Sequence, residues 1–233
     1  MGVISLQEVK SRGRRLTYST GKSLGATPVN LKDYWTDIVD DYWRYPRVRE
    51  FGWEAWDGYT RHKQAELKKQ QGWIGAGHFD GSHKKKYAHP RDMIFMDVDH
   101  GDEHTLDAIH ATLGRNAYCV HSTFSHHPDA PRYRIVFPLS EPVEEIAWLA
   151  IVYRIMSAIN PEYFDETTDQ CSRIMYLPNQ ISDIDYVFKS NPGPFMEVPM
   201  LLSTYGEGDE WKNPANWPLL KIAKQQQRRQ QHS

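Results

Sequence analysis

The spacing of apolar residues changes character along the chain and divides it into stretches. Residues 1–30 are rich in Gly, Ser, Thr and Arg with no sustained apolar period, which predicts a flexible arm. From residue 31 onward Tyr34, Trp35, Ile38, Tyr42 and Trp43 recur every three or four positions, and TRHKQAELKKQQ follows as a second helical run. That spacing reads as the aromatic core of a small helical module in preference to a base-stacking platform. Between Gly72 and Pro90 the pattern breaks into WIGAGHFDGSHKKKYAHP, a short strand followed by an exposed loop with Lys84, Lys85 and Lys86. Residues 31–90 are thus expected to form an N-terminal αβ module.

Beyond Pro90 strand and helix patterns alternate. DMIFMDV reads as an apolar strand, DEHTLDAIHATLG as a helix stopped at Gly114, and AYCVHS as a second strand. After the loop TFSHHPDAP comes a third strand, RYRIVFPL. The long helix VEEIAWLAIVYRIMSAIN then ends at Asn160-Pro161, and RIMYLP starts a fourth strand. The order β-α-β-β-α-β is the ferredoxin-like, RRM-like arrangement, with both helices on one face of an antiparallel sheet. The predicted fold class is α+β, with residues 91–200 forming this second module. Residues 201–233, which turn Gln/Arg-rich, are expected to be a polar tail or a linker to a missing domain.

Strand alternation assigns side chains to faces. Ile94, Met96 and Val98 share one face of the first strand, and Tyr133, Ile135 and Phe137 match them on the third. These apolar sets must meet the helices. Asp97, Asp99, Arg132, Arg134 and Val136 are left on the opposite face. Two carboxylates at i and i+2 stand roughly 6–7 Å apart at their Cα atoms, close enough to hold one hard cation jointly or to bridge two. Unpaired they would repel, so the pair makes sense with Mg²⁺, Mn²⁺ or arginine partners. Helix capping suits Asp102 better, because it lies outside the strand. A third acidic ligand is expected from YFDETTDQCSR, where either Asp165 or Asp169 is available. Ser125, His126 and His127 lie in the loop before the third strand. Together with Arg132, Arg134 and Arg173 they offer donors for a triphosphate.

Composition narrows the setting. A chain of 233 residues, 39% apolar, can bury a core, and two cysteines at Cys119 and Cys171 argue against a disulfide scaffold or a zinc knuckle. No stretch approaches the ~18 apolar residues of a membrane span, and the opening MGVISLQEVKSRGRR lacks a signal-peptide core, so a cytoplasmic location is expected. The net charge of −2 conceals an asymmetry: residues 1–90 hold 16 Lys and Arg against 10 Asp and Glu, whereas 91–233 hold 12 against 20. A basic wall beside an acidic centre suits a polyanion handled next to cations. The triplet Gly21-Lys22-Ser23 is not a phosphate loop, because the required earlier glycine is replaced by Leu16.

Three motifs in order, FMDVDH, STFSHHPDAPRYRIVFPL and Phe164-Asp165 leading into SRIMYLPN, resemble the archaeo-eukaryotic primase superfamily, in particular phage and plasmid primase-polymerase domains. The resemblance spans about residues 70–190. It implies a small N-terminal module packed on the RRM-like module, with the active cleft between them. It further implies that Asp97, Asp99 and Asp165 hold two Mg²⁺ or Mn²⁺ ions, with Asp169 as the alternative third ligand, and that Ser125 and His126 meet the triphosphate. His127 creates a second Ser-x-His spelling. Arg132, Arg134 and Arg173 are additional candidates for phosphate or template contacts. The implied substrates are NTP or dNTP and a single-stranded DNA template with its primer, in phage or plasmid replication, with a helicase domain or partner. Two other readings stay open. One is a replication-initiation endonuclease with a His pair and a nucleophilic Tyr; the other is a non-catalytic single-stranded nucleic-acid-binding module.

Overall fold

The computed structural model describes residues 13–164 and 170–218. Its first part contains β1 (Leu16–Gly21), β2 (Val29–Asp33), α1 (Trp35–Tyr42), β3 (Arg47–Val48), α2 (Trp53–Gly58), α3 (Arg61–Lys69), β4 (Trp73–Gly75) and β5 (Gly77–Phe79). The second part contains β6 (Ala88–Val98), α4 (Thr105–Leu113), β7 (Tyr118–Ser122), β8 (Tyr133–Val143), α5 (Glu145–Ile159), β9 (Ile174–Tyr176), β10 (Asn179–Gln180), β11 (Phe188–Asn191) and α6 (Val198–Ser203). The elements make an α+β architecture.

The central sheet has the order β11-β7-β8-β6-β5, and a second sheet has the order β2-β1-β4-β9. One buried residue, Ala76, separates β4 from β5, so the chain steps from one sheet to the other there. Side-chain alternation sorts the central sheet as the sequence predicts. Ile94, Met96, Val98, Tyr133, Ile135 and Phe137 pack against Ile109 and Leu113 of α4 and Trp148, Ile151 and Ile155 of α5. On the other face, Met93, Phe95, Cys119 and Val136 are covered by Leu16, Tyr18, Trp35, Ile38, Val39 and Trp43. The Trp43 ring stands nearly perpendicular to Phe95, with centroids 5.9 Å apart. The helically spaced aromatics are thus core, and they cover the half of the sheet away from Asp97.

Three expectations are corrected. The described part of the presumed arm, 1–30, holds β1 and the start of β2, with Leu16 and Tyr18 buried. LTYSTG is short of apolar residues, but the buried Ser19 hydroxyl lies 2.7 Å from the Gly77 carbonyl, so hydrogen bonding compensates for its burial. The fourth strand of the central sheet is not the RIMYLP segment. Phe164 makes a single antiparallel bridge to Val98, after which β9 pairs with β4 in the other sheet. The edge of β6 is already occupied by β5, and the last strand of the central sheet is β11, on β7. Finally, the described part of 201–233 is docked on α5. The Trp217 ring stacks on Tyr153 at 5.2 Å, and the Tyr205 hydroxyl donates to the Ala150 carbonyl at 2.6 Å. Apolar rings spaced through a polar stretch suffice to anchor it.

Candidate active site

At the end of the central sheet that the aromatic cluster leaves open, three strands put polar residues in one row. Asp97 on β6 is opposite Arg134 on β8, and Arg134 is opposite His121 on β7. Asp97 is nearly buried. Its Oδ1 accepts from Arg134 Nε at 2.8 Å, and its Oδ2 lies 3.3 Å from Arg173 Nη2. Two residues on, just past the end of β6, Asp99 Oδ1 accepts from Arg132 Nη1 at 3.2 Å. Each carboxylate of the i, i+2 pair therefore meets an arginine of a matching i, i+2 pair. Arg134 also donates through Nη1 to the Tyr176 carbonyl at 2.8 Å. Burying such charges is tolerable because each is opposed and hydrogen-bonded.

These side chains line a cavity of about 260 Å³ between the sheet, α3 and the segment after β9. The structure brings Asp97, Asp99, Ser125, Arg132, Arg134 and Arg173 together around it. His126 does not line it. It is buried in the β7–β8 loop, where its Nδ1 accepts the Arg132 backbone N–H at 3.1 Å, and burial pushes its pKa below the ordinary histidine value. His127 has its Nδ1 on the Asp129 N–H at 3.2 Å and its ring 4.5 Å from that of Trp53. Both imidazoles brace the loop that presents Ser125 and Arg132. Asp165 and Asp169 lie outside the described residues, as does the contact of either with the cavity.

The donor chemistry of this cavity fits a hard divalent cation. Two carboxylates share one wall, and the guanidinium groups paired with them are donors of the kind that oxyanions take. Asp97 and Asp99 are the described residues that would hold it.

A model of the VapE N-terminal domain family matches residues 4–220, nearly the whole chain. The chain belongs to that family. Two solved structures resemble this VapE N-terminal domain distantly. The AEP domain of the primase-polymerase of cyanophage S-2L is 15% identical at a TM-score of 0.45, over 81% of this chain and 88% of that one. The primase RepB′ is 12% identical at a TM-score of 0.42, over 96% of this chain and 64% of that one. No curated protein matches the chain.

The cleft of this VapE N-terminal domain also holds two residues that sequence reasoning passes over. His121 is fully buried. Its Nδ1–H donates to the Ser122 carbonyl at 3.0 Å, while its Nε2 makes no hydrogen bond among the described residues. Burial, reinforced by Arg134, pushes its pKa down to about 3, so it is a neutral acceptor on the cavity wall. Extending the strand alternation to AYCVHS would have found it. Lys68 reaches the cavity from α3, and desolvation and the nearby Arg132 lower its pKa. Nothing in TRHKQAELKKQQ distinguishes Lys68 from its neighbours.

Proposed function

We propose that this domain is a primase-polymerase: a metal-dependent nucleotidyltransferase that joins NTP or dNTP to a 3′-hydroxyl on a single-stranded DNA template in phage or plasmid replication. The observation that carries the reading is the interleaved pairing of Asp97 and Asp99 with Arg134 and Arg132 around one cavity. It combines the carboxylates a metal needs with the guanidinium groups a triphosphate needs. The three motifs that resemble the primase superfamily give the same answer, and membership of the VapE N-terminal domain family is consistent with it.

Asp97 and Asp99 would hold the ion, with Asp165, or Asp169 in its place, as the third ligand. Bound Mg²⁺ or Mn²⁺ supplies Lewis-acid polarisation of the α-phosphate and makes the attacking hydroxyl easier to deprotonate. The arginines act as counter-charges that change partner. In the structure they neutralise the aspartates; with a cation on those carboxylates, the guanidinium groups of Arg132, Arg134 and Arg173 would be available to the triphosphate and to the charge on departing pyrophosphate. Ser125 offers a hydroxyl to the same oxygens, and Lys68 adds a cation on the α3 side. A helicase domain or partner that delivers single-stranded template belongs to the same reading.

The test is incorporation of labelled nucleotide on a primed single-stranded template with Mg²⁺ or Mn²⁺. The pair Asp97→Asn with Asp99→Asn keeps the shape and part of the hydrogen bonding, yet incorporation should fall by about three orders of magnitude, because several kcal/mol of charge stabilisation is lost. Undiminished incorporation in that variant would reject the assignment. Cleavage of the strand with a covalent protein adduct, without nucleotides, would replace it by the endonuclease reading. Metal-independent DNA binding with no synthesis would leave a binding module.

A further inference from the structure

The geometry points to a second metal site, away from the Asp97 cavity: His78, Asp80 and His89 form a ligand set for a borderline transition-metal dication, Zn²⁺ by preference, at the base of the β5–β6 hairpin. Among the described residues this is the one place where three His, Cys, Asp or Glu side chains bring donor atoms within 4.8 Å of one another. His78 Nε2 lies 3.1 Å from Asp80 Oδ1, and His89 Nε2 lies 2.6 Å from Asp80 Oδ2. The two imidazole rings are 4.7 Å apart. Ligands 2.0–2.1 Å from a tetrahedral ion stand about 3.3 Å from each other, so small side-chain adjustments suffice to seat one.

Backbone register makes the cluster. Gly77 pairs with Arg91 and Phe79 with Ala88 across an irregularity in the β5–β6 ladder, which sets His78 and His89 side by side on neighbouring strands. Asp80 follows β5 directly, and its backbone N–H donates to the Tyr87 carbonyl at 2.9 Å, closing the loop that bears Lys84, Lys85 and Lys86. Two imidazoles directed at the two oxygens of one carboxylate must each present a proton there if no ion is bound. In the other tautomer the same ring nitrogens present lone pairs, which is what a metal ligand requires. All three side chains are partly exposed, with relative exposures of 41%, 60% and 47%, so an ion and its completing waters have access. Two nitrogens and one oxygen suit Zn²⁺, Co²⁺ or Ni²⁺, whereas Mg²⁺ prefers oxygen ligands throughout. The set is therefore chemically distinct from the carboxylate pair at Asp97 and Asp99. Its effect would be to staple the basic hairpin shut.

Zn²⁺ titration of the chelator-stripped full chain in excess Mg²⁺, read by metal analysis after desalting, tests this. The expected result is one retained Zn²⁺ per chain, lost in His78→Ala with His89→Ala and retained in Asp97→Asn with Asp99→Asn. With Co²⁺ in place of Zn²⁺, the unaltered chain should show visible absorption of four- or five-coordinate intensity, and Asp80→Asn should weaken it. Equimolar Zn²⁺ should also slow tryptic cleavage at Lys84–Lys86 several-fold. No retained Zn²⁺ in the unaltered chain, Zn²⁺ that survives the double histidine variant, or Zn²⁺ lost with the Asp97 and Asp99 variant would each overturn the site. The cobalt spectrum of the unaltered chain decides the matter if a variant fails to fold. Because metal content is the readout, failure here leaves nucleotide incorporation at the Asp97 cavity untouched.

Discussion

Arg134 joins two separate parts of the molecule: through Nε it holds Asp97 of the central sheet at 2.8 Å, and through Nη1 it holds the carbonyl of Tyr176 in the other sheet at 2.8 Å. Its side chain is 12% exposed and that of Asp97 7%. Removing one member of a buried pair leaves the other uncompensated, so Arg134→Ala should destabilise the fold by about 3 kcal/mol; Arg173 beside Asp97 keeps the loss at the low end of the usual range. Urea unfolding measures this. Arg134→Lys should keep much of the stability but raise the nucleotide KM, because a single ammonium cannot span both partners.

His121 makes stability depend on pH in a defined direction. Its folded value, about 3, lies below the ordinary 6.5, so below pH 6.5 the unfolded chain takes up a proton that the folded chain refuses. Stability is complete above that point and falls as the pH drops towards 3, by about 1.4 kcal/mol per unit. His126 is shifted the same way and adds to the slope. Between pH 6.5 and 5 the His121 share is about 2 kcal/mol, and His121→Gln should remove it. A variant whose unfolding free energy declines as steeply as that of the parent would contradict the assignment.

Lys68 faces the cavity from α3 and lies close enough to Arg132 and Asp99 for their charges to act on it. Lys68→Gln is expected to raise the apparent nucleotide requirement about tenfold, the equivalent of about 1.4 kcal/mol in phosphate attraction, with a smaller effect on the maximal rate. Steady-state incorporation across nucleotide concentrations separates the two.

Trp43 is fully buried between α1 and the central sheet. Trp43→Ala should cost about 3–5 kcal/mol and lower the single thermal transition, because the two modules share this core. Calorimetry that resolves two independent transitions in the parent protein would contradict a shared core.

The central strands were legible because both their faces are chemically marked. Ile94, Met96 and Val98 demand helices, while Asp97 interrupts the other face and Arg134 answers it at the matching position of β8. The order of the outer strands was not legible. β9 has three residues and β11 four, too few for alternation to declare a partner, and which edge each one takes depends on β5 having filled the side of β6. Of the expected site, Asp97, Asp99, Arg132 and Arg134 converge because they lie on or beside the two eleven-residue strands β6 and β8. The bracing role of His126 was not legible, because a loop histidine next to Ser125 reads the same whether or not its Nδ1 accepts the Arg132 N–H.

The pairing of β9 with β4, and of β10 with β3, has a genetic corollary. Among the described residues, the sheet β2-β1-β4-β9 and the two-stranded sheet of β10 with β3 each combine early and late polypeptide, so no single breakpoint between them leaves two self-sufficient halves. Recombination between divergent copies at any one position in the interval from residue 76 to residue 173 would graft a foreign rim onto each sheet. The smallest heritable unit that keeps its own partners runs uninterrupted from Leu16 past Gln180.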